Sequence, residues 1–553
     1  MIGLNKIGLN QVQLNRLRLN APFPAYGKMA GGGGSGDGFP QLPGDVTRWH
    51  FGGLTNEMMA AMDDPRIEDV DHKGRFLSFK NFAWKGMSGV GGYGDENYQT
   101  FYKFTLDDYV FIASPPGVKH MNFTFRVTGL QPGNKLTLAF FGTTNTVYGT
   151  WNKDGIYTVD ADIVEAGKPT YFYNGYSATR GEFTIEILPL YPGALVFDGV
   201  DDYGACNNFP ILTKEKGYTV VALRQWISMG EGISGLVSNV KNWFNDGAFV
   251  LEYNSNNATN KFVNRPVSFG KVNIEMDLPN NFTYQTSKSY KGVPITTGSF
   301  KGTNSLFVGK LNNIVGNCSN VAIWELVFLD HDATEEELTK IKDYFVKTYP
   351  WLFPDQAWTV VGKTNENEDR ATIANITGNG NDLVLSNFGF IEGSGYNEEG
   401  EYAGYLVTDG VDDEIISAKL IQFADKFTIV GDWKFMEDRN DNAGLLKANQ
   451  IYIYNATTGM RIYLKQGSKN YPFSCKKINA LTSDGWVYDE KWDKYKVYPI
   501  GSDIDISSRL FLGFYGSNFT KIALKNLGIY NDQLLSKDDC IKAYNYLQTL
   551  KAK

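Results

Sequence analysis

The stretches VFDGVDD (196–202) and VTDGVDD (407–413) are two copies of one motif, and they decide how the chain divides. In both, an apolar strand runs into Asp-Gly, a pair that readily forms a tight turn. Three further pairs of segments follow in the same order: YTVV at 218 and FTIV at 427, LFVG at 306 and LFLG at 510, and ELVFLDHDATEEEL (325–338) and NLGIYNDQLLSKDDC (526–540). This shared order predicts one fold unit present twice.

Each unit ends in a strand followed by a helix-start signal. Thr334 with Glu337, and Ser536 with Asp539, have the spacing of a capping box, in which a side chain and a backbone N–H satisfy each other across the first helical turn. We therefore expect one short helix at the end of each unit.

Composition indicates a folded, strand-rich chain. Its 553 residues exceed one ordinary core, and 42% are hydrophobic, 14% aromatic and only 21% charged. Because 61 acidic residues outnumber 53 basic ones, the net charge of -8 opposes nucleic-acid binding and an anionic membrane surface. No window is apolar enough to predict membrane insertion, and nothing in the sequence calls for an organic cofactor.

The N-terminus repeats with a period of five. Residues 2–21 read IGLNK, IGLNQ, VQLNR and LRLNA, which fits neither a helical stripe nor strand alternation. A stepped, β-helix-like path suits this pattern, and its coils bury their apolar face only by stacking. We therefore predict that residues 1–26 anchor and oligomerise the chain as a homo-oligomer, with a frayed terminus as the alternative, ahead of a Gly/Pro-rich linker at 27–45. The predicted contact residues are Ile2, Leu4, Ile7, Leu9, Val12, Leu14, Leu17 and Leu19.

Residues 46–193 predict a β-sandwich domain. NFTFRV places Phe123, Phe125 and Val127 on one strand face, and EFTIEI does the same for its alternate residues. We expect the turn at 131–134, QPGN, to join neighbouring antiparallel strands.

The remaining chain divides into a first jelly-roll module at 194–352, a connecting segment at 353–402 and a second module at 403–553. Trp49-x3-Gly-x-Thr-Asn-Glu and NFAW at 81 recur as Trp358-x3-Gly-x-Thr-Asn-Glu and NFGF at 387, which we interpret as shuffled segments. The predicted fold class is all-β: an N-terminal pentad-repeat anchor and then three β-sandwich units, the last two jelly rolls that each end in a short helix.

Two resemblances rest on these motifs. VFDGVDDY (196–203), the strand after it and the terminal strand and helix resemble the laminin-G-like, concanavalin A-like jelly-roll family, a resemblance that covers both modules. TGNGNDLVLSNFGF (377–390) and EILPLYPGALVFDGVDDY (186–203) resemble segments of virion and prophage proteins from phages of Bacteroides-type gut bacteria, including the crAss-like group.

The second resemblance implies a head-fibre or tail-fibre protein, located in the virion and assembled in the host cytoplasm. Its implied partners are capsid or tail proteins and a bacterial surface glycan. Two alternatives stay open. A bacterial carbohydrate-binding surface protein would need an export signal or a lipoprotein cysteine, and neither is seen near the start; a polysaccharide-degrading, tailspike-like enzyme would need paired carboxylates in a cleft.

The duplicated motif gathers carboxylates that could hold Ca²⁺. An Asp-Gly turn whose side chains cap nearby backbone N–H groups explains the same residues, and we favour it, so no metal site is assigned. The candidates are Asp198, Asp201, Asp202, Asp409, Asp412 and Asp413.

No catalytic residue is predicted, and we expect a protein that is not an enzyme. Glu275-Met276-Asp277 comes nearest to a glycosidase strand pattern, but Pro279 and Asn280 stand where a second acid is needed. The four histidines sit in ordinary contexts, the four cysteines show no paired spacing and are read as buried thiols, and no sugar-binding residue can be named.

Overall fold

The structure is a computed structural model, and it describes most of the chain beyond the N-terminal segment. The described residues are 37–93, 101–104, 109–113, 119–131, 134–140, 146–163, 170–175, 182–213, 215–228, 233–240, 250–254, 261–264, 272–275, 281–290, 292–294, 303–311, 318–436, 441–448, 451–456, 459–464, 467–470, 477–489, 491–496, 506–515 and 518–552.

The first jelly roll begins with four strands and a short helix before residue 93. They are β1 (Val46–His50), α1 (Asn56–Ala60), β2 (Arg66–Glu68), β3 (Phe76–Lys80) and β4 (Gly89–Val90).

A small sandwich follows. Its strands are β5 (Phe101–Phe104), β6 (Tyr109–Ala113), β7 (Lys119–Thr128), β8 (Lys135–Phe140), β9 (Thr146–Trp151), β10 (Gly155–Ile163), β11 (Thr170–Gly175) and β12 (Phe183–Ile187).

The first jelly roll then resumes and ends in a helix. Its later elements are β13 (Leu195–Asp198), β14 (Tyr203–Cys206), β15 (Thr219–Trp226), β16 (Ile233–Ser238), β17 (Val250–Asn254), β18 (Lys261–Asn264), β19 (Val272–Glu275), β20 (Phe282–Thr286), β21 (Ser289–Tyr290), β22 (Val293–Pro294), β23 (Leu306–Val308), β24 (Asn320–Leu329), α2 (Glu335–Thr348) and a 3-10 turn at Pro350–Leu352.

The second jelly roll spans the rest of the chain. Its elements are β25 (Gln356–Thr359), β26 (Thr372–Ile373), β27 (Leu383–Ser386), β28 (Gly395–Tyr396), a 3-10 turn at Gly400–Tyr402, β29 (Leu406–Val407), β30 (Glu414–Ser417), β31 (Ile421–Phe423), β32 (Phe427–Phe435), β33 (Asp441–Ala448), β34 (Ile451–Ala456), β35 (Gly459–Leu464), β36 (Gly467–Asn470), β37 (Ile478–Thr482), β38 (Trp486–Asp489), β39 (Lys494–Lys496), β40 (Ile506–Ser508), β41 (Phe511–Leu512), β42 (Phe514–Tyr515), β43 (Asn518–Phe519), β44 (Ile522–Asn531) and α3 (Lys537–Gln548).

Among the described residues, each jelly roll is built on two eight-stranded sheets, and the second has two further two-stranded sheets, β31-β40 and β42-β43. In the first, one sheet has the order β22-β21-β20-β15-β24-β13-β4 with β1 also on β24, and the other runs β19-β18-β17-β16-β23-β14-β3-β2. In the second, the corresponding orders are β28-β29-β44-β32-β37-β38-β39 with β25 also on β44, and β26-β27-β30-β41-β33-β34-β35-β36. The fold class predicted from the sequence is thus confirmed as all-β sandwich units with terminal helices.

These pairings differ from the predicted domain division in two places. β1 and β4 pair with β24 and β13, and β3 pairs with β14, so the segment before residue 93 belongs to the first jelly roll and not to a separate 46–193 domain. Likewise β25 pairs with β44 and β27 with β30, so residues 353–402 open the second jelly roll and do not connect two modules. The recurring Trp and NFxF segments are therefore the same first part of each unit, not shuffled pieces.

The small sandwich is an insertion between β4 and β13. Its two four-stranded sheets have the orders β10-β7-β12-β5 and β6-β11-β8-β9. The predicted alternation is confirmed, because Phe123, Phe125 and Val127 are almost fully buried between the sheets. The prediction that the 131–134 turn joins paired strands is wrong: β7 and β8 lie in different sheets, so the chain crosses the sandwich there.

Helix starts follow the prediction. Thr334 and Glu337 form the reciprocal capping box of α2, and the Ser536 hydroxyl accepts the Asp539 N–H at the start of α3. Among the described residues, no helix has the length and apolarity that a membrane span needs.

The two jelly rolls share a buried apolar layer. It is formed by the outer faces of the sheets that carry β24 and β44, by both terminal helices and by Trp351 and Leu352. Polar contacts join the units across it: Asn281 Nδ2 donates to the Tyr546 hydroxyl (3.0 Å), and the Tyr530 hydroxyl donates to the Trp351 carbonyl (2.9 Å). The insertion adds an ion pair, Lys153 with Asp493 of the second jelly roll.

Candidate functional site

The acidic motif of the first jelly roll is a turn held by its own carboxylates. Asp198 Oδ1 accepts the N–H groups of Val200 (2.8 Å) and Asp201 (3.3 Å), while Asp202 Oδ2 accepts the Asp198 N–H (3.1 Å). Gly199 has a φ of +81°, which the turn requires and which other residues adopt only with strain.

The second copy repeats this geometry. Asp409 Oδ1 accepts from Val411 (2.7 Å) and Asp412 (3.4 Å), and Asp413 Oδ2 accepts the Asp409 N–H (2.7 Å). In both copies the first and last Asp serve backbone donors, as the turn interpretation expects.

A loop with the sequence NFAW or NFGF holds each turn from outside. In the first jelly roll, Ser88 Oγ donates to Asp202 Oδ1 (3.0 Å) and accepts the Ala83 N–H (2.8 Å), and Asn81 Nδ2 donates to the Asp201 carbonyl (3.0 Å). The same contacts recur in the second jelly roll at Ser394, Gly389 and Asn387, with distances between 2.9 and 3.1 Å.

One asparagine in each repeated TNE segment fixes the end of that loop. Asn56 exchanges two hydrogen bonds with the backbone of Val90, and Asn365 does so with Tyr396. The sequence shows that these segments recur, but only the fold shows that they support the acidic turn.

Burial changes the acidity of the last Asp in each motif. Burial raises the pKa of Asp202 to about 7 and that of Asp413 to about 6, because their serine and backbone hydrogen bonds offset only part of the lost hydration. The three carboxylates of each motif approach one another within 4.8 Å, so the candidates are brought together as predicted. Their contacts are those of a turn, the interpretation favoured from the sequence, and calcium binding stays the weaker alternative.

A second candidate surface crosses the outer face of the second jelly roll. Register places residues of neighbouring strands opposite each other in one row, which we call the outer row. Its members, in order across β27, β30, β41, β33 and β34, are Val384, Ile416, Phe511, Lys447 and Tyr452.

Alternation shows that the outer row faces away from the core. The neighbours Ile415, Leu512, Leu446 and Ile451 are at most 1% exposed, whereas Val384 is 41% exposed and the other members are half-buried. The Lys447 ammonium lies 5.7 Å from the Phe511 ring centre. Strand spacing of about 4.8 Å separates Phe511 from Tyr452 by two strands, or about 10 Å.

The first jelly roll has a different row at the same place. Ser78, Ala205, Phe307 and Ser238 lie opposite one another, and Phe307 is only 7% exposed while Ser238 is fully buried. At these positions the first jelly roll has two serines, an alanine and a phenylalanine that is almost fully buried, so it presents no exposed aromatic side chain there.

Sequence reasoning missed a buried ion cluster of the first jelly roll. Arg48 Nη1 donates to Glu325 Oε1 (2.8 Å) and to the Tyr344 hydroxyl (3.0 Å). Glu325 Oε2 accepts from the Tyr349 hydroxyl (3.0 Å) and lies 3.2 Å from His50 Nδ1. The sequence does not predict this cluster, because an Arg in a strand gives no sign of its partner on the neighbouring strand. Only the register of β1 on β24 reveals it.

Several predicted residues lie outside the part of the chain that the structure describes. These are the anchor residues Ile2 to Leu19, and Met276 to Asn280 of the rejected glycosidase pattern, where Glu275 ends β19. Cys206, Cys318 and Cys540 are buried free thiols, as predicted, and Cys475 lies outside the described residues.

No protein-family model and no curated protein matches the chain. Solved structures similar to it include Trypanosoma rangeli sialidase in complex with sialic acid, at 10% identity and a TM-score of 0.26, covering 85% of this chain and 81% of that one. The botulinum neurotoxin serotype D binding domain matches at 11% identity and a TM-score of 0.25, covering 62% of this chain and 89% of that one.

Because sialidases, which are enzymes, are among the similar structures, the prediction that the chain is not an enzyme is withdrawn. A TM-score of 0.26 at 10% identity carries no argument about an activity, so no reaction is assigned in its place.

Proposed function

We propose that this chain is a glycan-adhesion protein of a bacteriophage particle, a head-fibre or tail-fibre component that contacts host glycans through the second jelly roll. The observation that carries the adhesion proposal is the outer row, in which Phe511 and Tyr452 stand on an outward sheet face. Aromatic side chains with an apolar body suit the apolar faces of sugar rings. An oligosaccharide lying across the strands would contact both rings in turn.

The arrangement of the units supports display of such a surface. The two jelly rolls are joined by a buried apolar layer, so the outer row would be held in a fixed position relative to the first unit. A rigid scaffold that carries a variable surface is the general solution for binding proteins of this kind.

Support for the virion setting comes from the sequence. The segments at 186–203 and 377–390 resemble phage virion proteins, and the pentads of residues 2–21 suit an anchor completed by other chains. On this proposal the N-terminus docks on capsid or tail proteins, and the chain works as a homo-oligomer.

Glycan-array binding of the full-length chain tests the adhesion proposal. The double variant Phe511→Ala, Tyr452→Ala should bind its best glycan about ten-fold more weakly, as expected when two ring contacts of about 0.7 kcal/mol each are lost. The matched control is Ile211→Ser, which removes a 60% exposed apolar side chain from the first jelly roll and should leave binding unchanged. Equal binding by the wild type and the double variant would reject the outer row as the adhesion surface.

A further inference from the structure

Two polar side chains lie beside the outer row on the same face of the second jelly roll. Ser386 and Glu414 are direct partners in the register of β27 and β30, two residues along each strand from the outer-row pair Val384 and Ile416. Because side chains two residues apart share one face of a strand, this polar pair lies on the outward face with the outer row. The next residue of β30, Ile415, is fully buried in the core, as this alternation requires.

Glu414 is a half-buried acid whose side chain has no partner within the part of the chain that the structure describes. It takes part there in no hydrogen bond and no ion pair, and the same holds for the side chain of Ser386. A carboxylate that loses part of its hydration is destabilised unless another donor replaces the water. A hydrogen-bond donor from outside the chain would therefore be stabilised at Glu414.

The corresponding residues of the first jelly roll have partners within the chain. Tyr203 and Glu414 each follow the last Asp of an acidic motif, and Tyr203 pairs with Lys80 in the register of β14 and β3. Lys80 forms an ion pair with Asp64 (2.9 Å), and the Lys310 ammonium lies 4.5 Å from the Tyr203 ring centre. The fold therefore does not require a carboxylate at this position, and the one in the second jelly roll is particular to that unit.

Glu414 is close enough to the outer row to contact a sugar that lies on it. Ile416 is opposite Phe511 in register, so Glu414 is the diagonal neighbour of Phe511. Diagonal neighbours on adjacent strands are about 7–8 Å apart, a separation that long side chains cover. The carboxylate of Glu414 is thus within reach of hydroxyl groups on a sugar ring stacked against Phe511.

The charges around Glu414 favour a neutral sugar over an acidic one. The adjoining acidic turn adds the carboxylates of Asp409 and Asp412. Lys447, the cation of the outer row, lies on the far side of Phe511 and two strands from β30, at about 10 Å. A uronate carboxylate beside Glu414 would therefore meet charges of its own sign.

We propose that Glu414, together with Ser386, accepts hydrogen bonds from the hydroxyl groups of a neutral sugar on the outer row and so selects neutral glycans over acidic ones. This assignment rests on the proposed adhesion function and names the ligand class of the same surface. A carboxylate has two oxygens and can accept from two neighbouring hydroxyls at once. Because its charge strengthens each hydrogen bond, the acid orients the sugar while the aromatic rings supply contact area.

Binding of the full-length chain to an array of neutral oligosaccharides and their uronate-containing counterparts tests the proposal. The wild type should bind neutral glycans best. Glu414→Gln should bind the best neutral glycan about ten-fold more weakly and show a smaller preference for neutral over uronate glycans, because the charged acceptor is lost. The matched control is Glu398→Gln, which changes an exposed acid next to β28 of the opposite sheet and should leave binding unchanged.

Singly O-methylated forms of the best neutral glycan give a second readout that a purely structural role of Glu414 would not change. Methylation of the hydroxyl that donates to Glu414 should weaken binding to the wild type about ten-fold. The same methylation should have little further effect on Glu414→Ala, because the two changes remove one and the same hydrogen bond. Equal effects of every methylation on the wild type and on Glu414→Ala would overturn the proposal.

Binding of uronate glycans as tight as that of their neutral counterparts would also overturn it, and so would equal binding by the wild type and Glu414→Gln. The failure of this proposal is distinguishable from the failure of the outer row. Weaker binding by Phe511→Ala, Tyr452→Ala without any effect of Glu414→Gln rejects the polar contact alone. Weaker binding by Glu414→Gln without any effect of the double variant rejects the aromatic contact alone, and a wild type that binds no glycan rejects both.

Discussion

Asp202 and Asp413 are buried acids on which the hydrogen bonding of the two acidic turns depends. Each accepts a backbone N–H from the start of its motif and a serine hydroxyl from the neighbouring loop. Replacement of either acid by a hydrophobic residue would leave these donors unsatisfied in the interior, at about 1–3 kcal/mol each. The same burial makes ionisation of the acids unfavourable.

This burial predicts a pH dependence of stability. The pKa of Asp202 rises to about 7 on folding from an unfolded value near 3.8, so the protonated acid contributes stability that is complete below about pH 4 and is lost as pH rises through about 7. The difference corresponds to at most about 4 kcal/mol. The free energy of unfolding measured in urea should therefore fall less between pH 5 and pH 8 for Asp202→Asn than for the wild type.

The control for that prediction is Asp201→Asn, which changes the exposed neighbour in the same turn. It should keep the pH dependence of the wild type. If Asp202→Asn and the wild type lose equal stability over this range, the raised pKa of the buried acid is not the cause.

At the scale of strands and helices, local signals in the sequence predicted what an element is better than which element it pairs with. Alternation identified the buried face of β7, and the capping signal identified α2. Alternation carries no information about the partner strand. The sequence therefore predicts a hairpin at the 131–134 turn, whereas the chain passes from one sheet to the other between β7 and β8.

The insertion illustrates the same limit. The offset between the repeated segments is 309 at Trp49 and Trp358 but 211 at Asp198 and Asp409, so the first unit carries 98 additional residues between these points. An inserted domain produces this change, but so does a rearranged order of segments. Only the pairing of β4 with β13 across the insertion distinguishes the two.

The candidate sites also differ in how far the sequence predicts them. The acidic positions were predictable because they are consecutive in sequence and their turn is local. The outer row brings together residues from 384 to 511 on five strands. It follows from no sequence pattern, because it requires the register of distant strands.

For the whole molecule, the apolar layer between the jelly rolls predicts that they unfold together. Leu547 is fully buried in this layer on α3. Leu547→Ala should lower stability by about 2–5 kcal/mol and separate the single calorimetric transition expected of the wild type into two, because it weakens the contact that couples the units.

Ile453→Ala is the control, since Ile453 is equally buried but lies within the core of the second jelly roll. This variant should lower the transition temperature of the second jelly roll without weakening the apolar layer between the units. Two separate transitions already present in the wild type would show that the layer does not couple the units.

Adhesion through the outer row can be tested by hydrogen–deuterium exchange of the full-length chain with and without the best-binding glycan. Bound glycan should slow exchange in peptides from β33, β34 and β41, which carry Lys447, Tyr452 and Phe511, and should leave peptides from β14 and β23 of the first jelly roll unchanged. Protection confined to the first jelly roll, or to the acidic turns at 198–202 and 409–413, would contradict adhesion through the outer row.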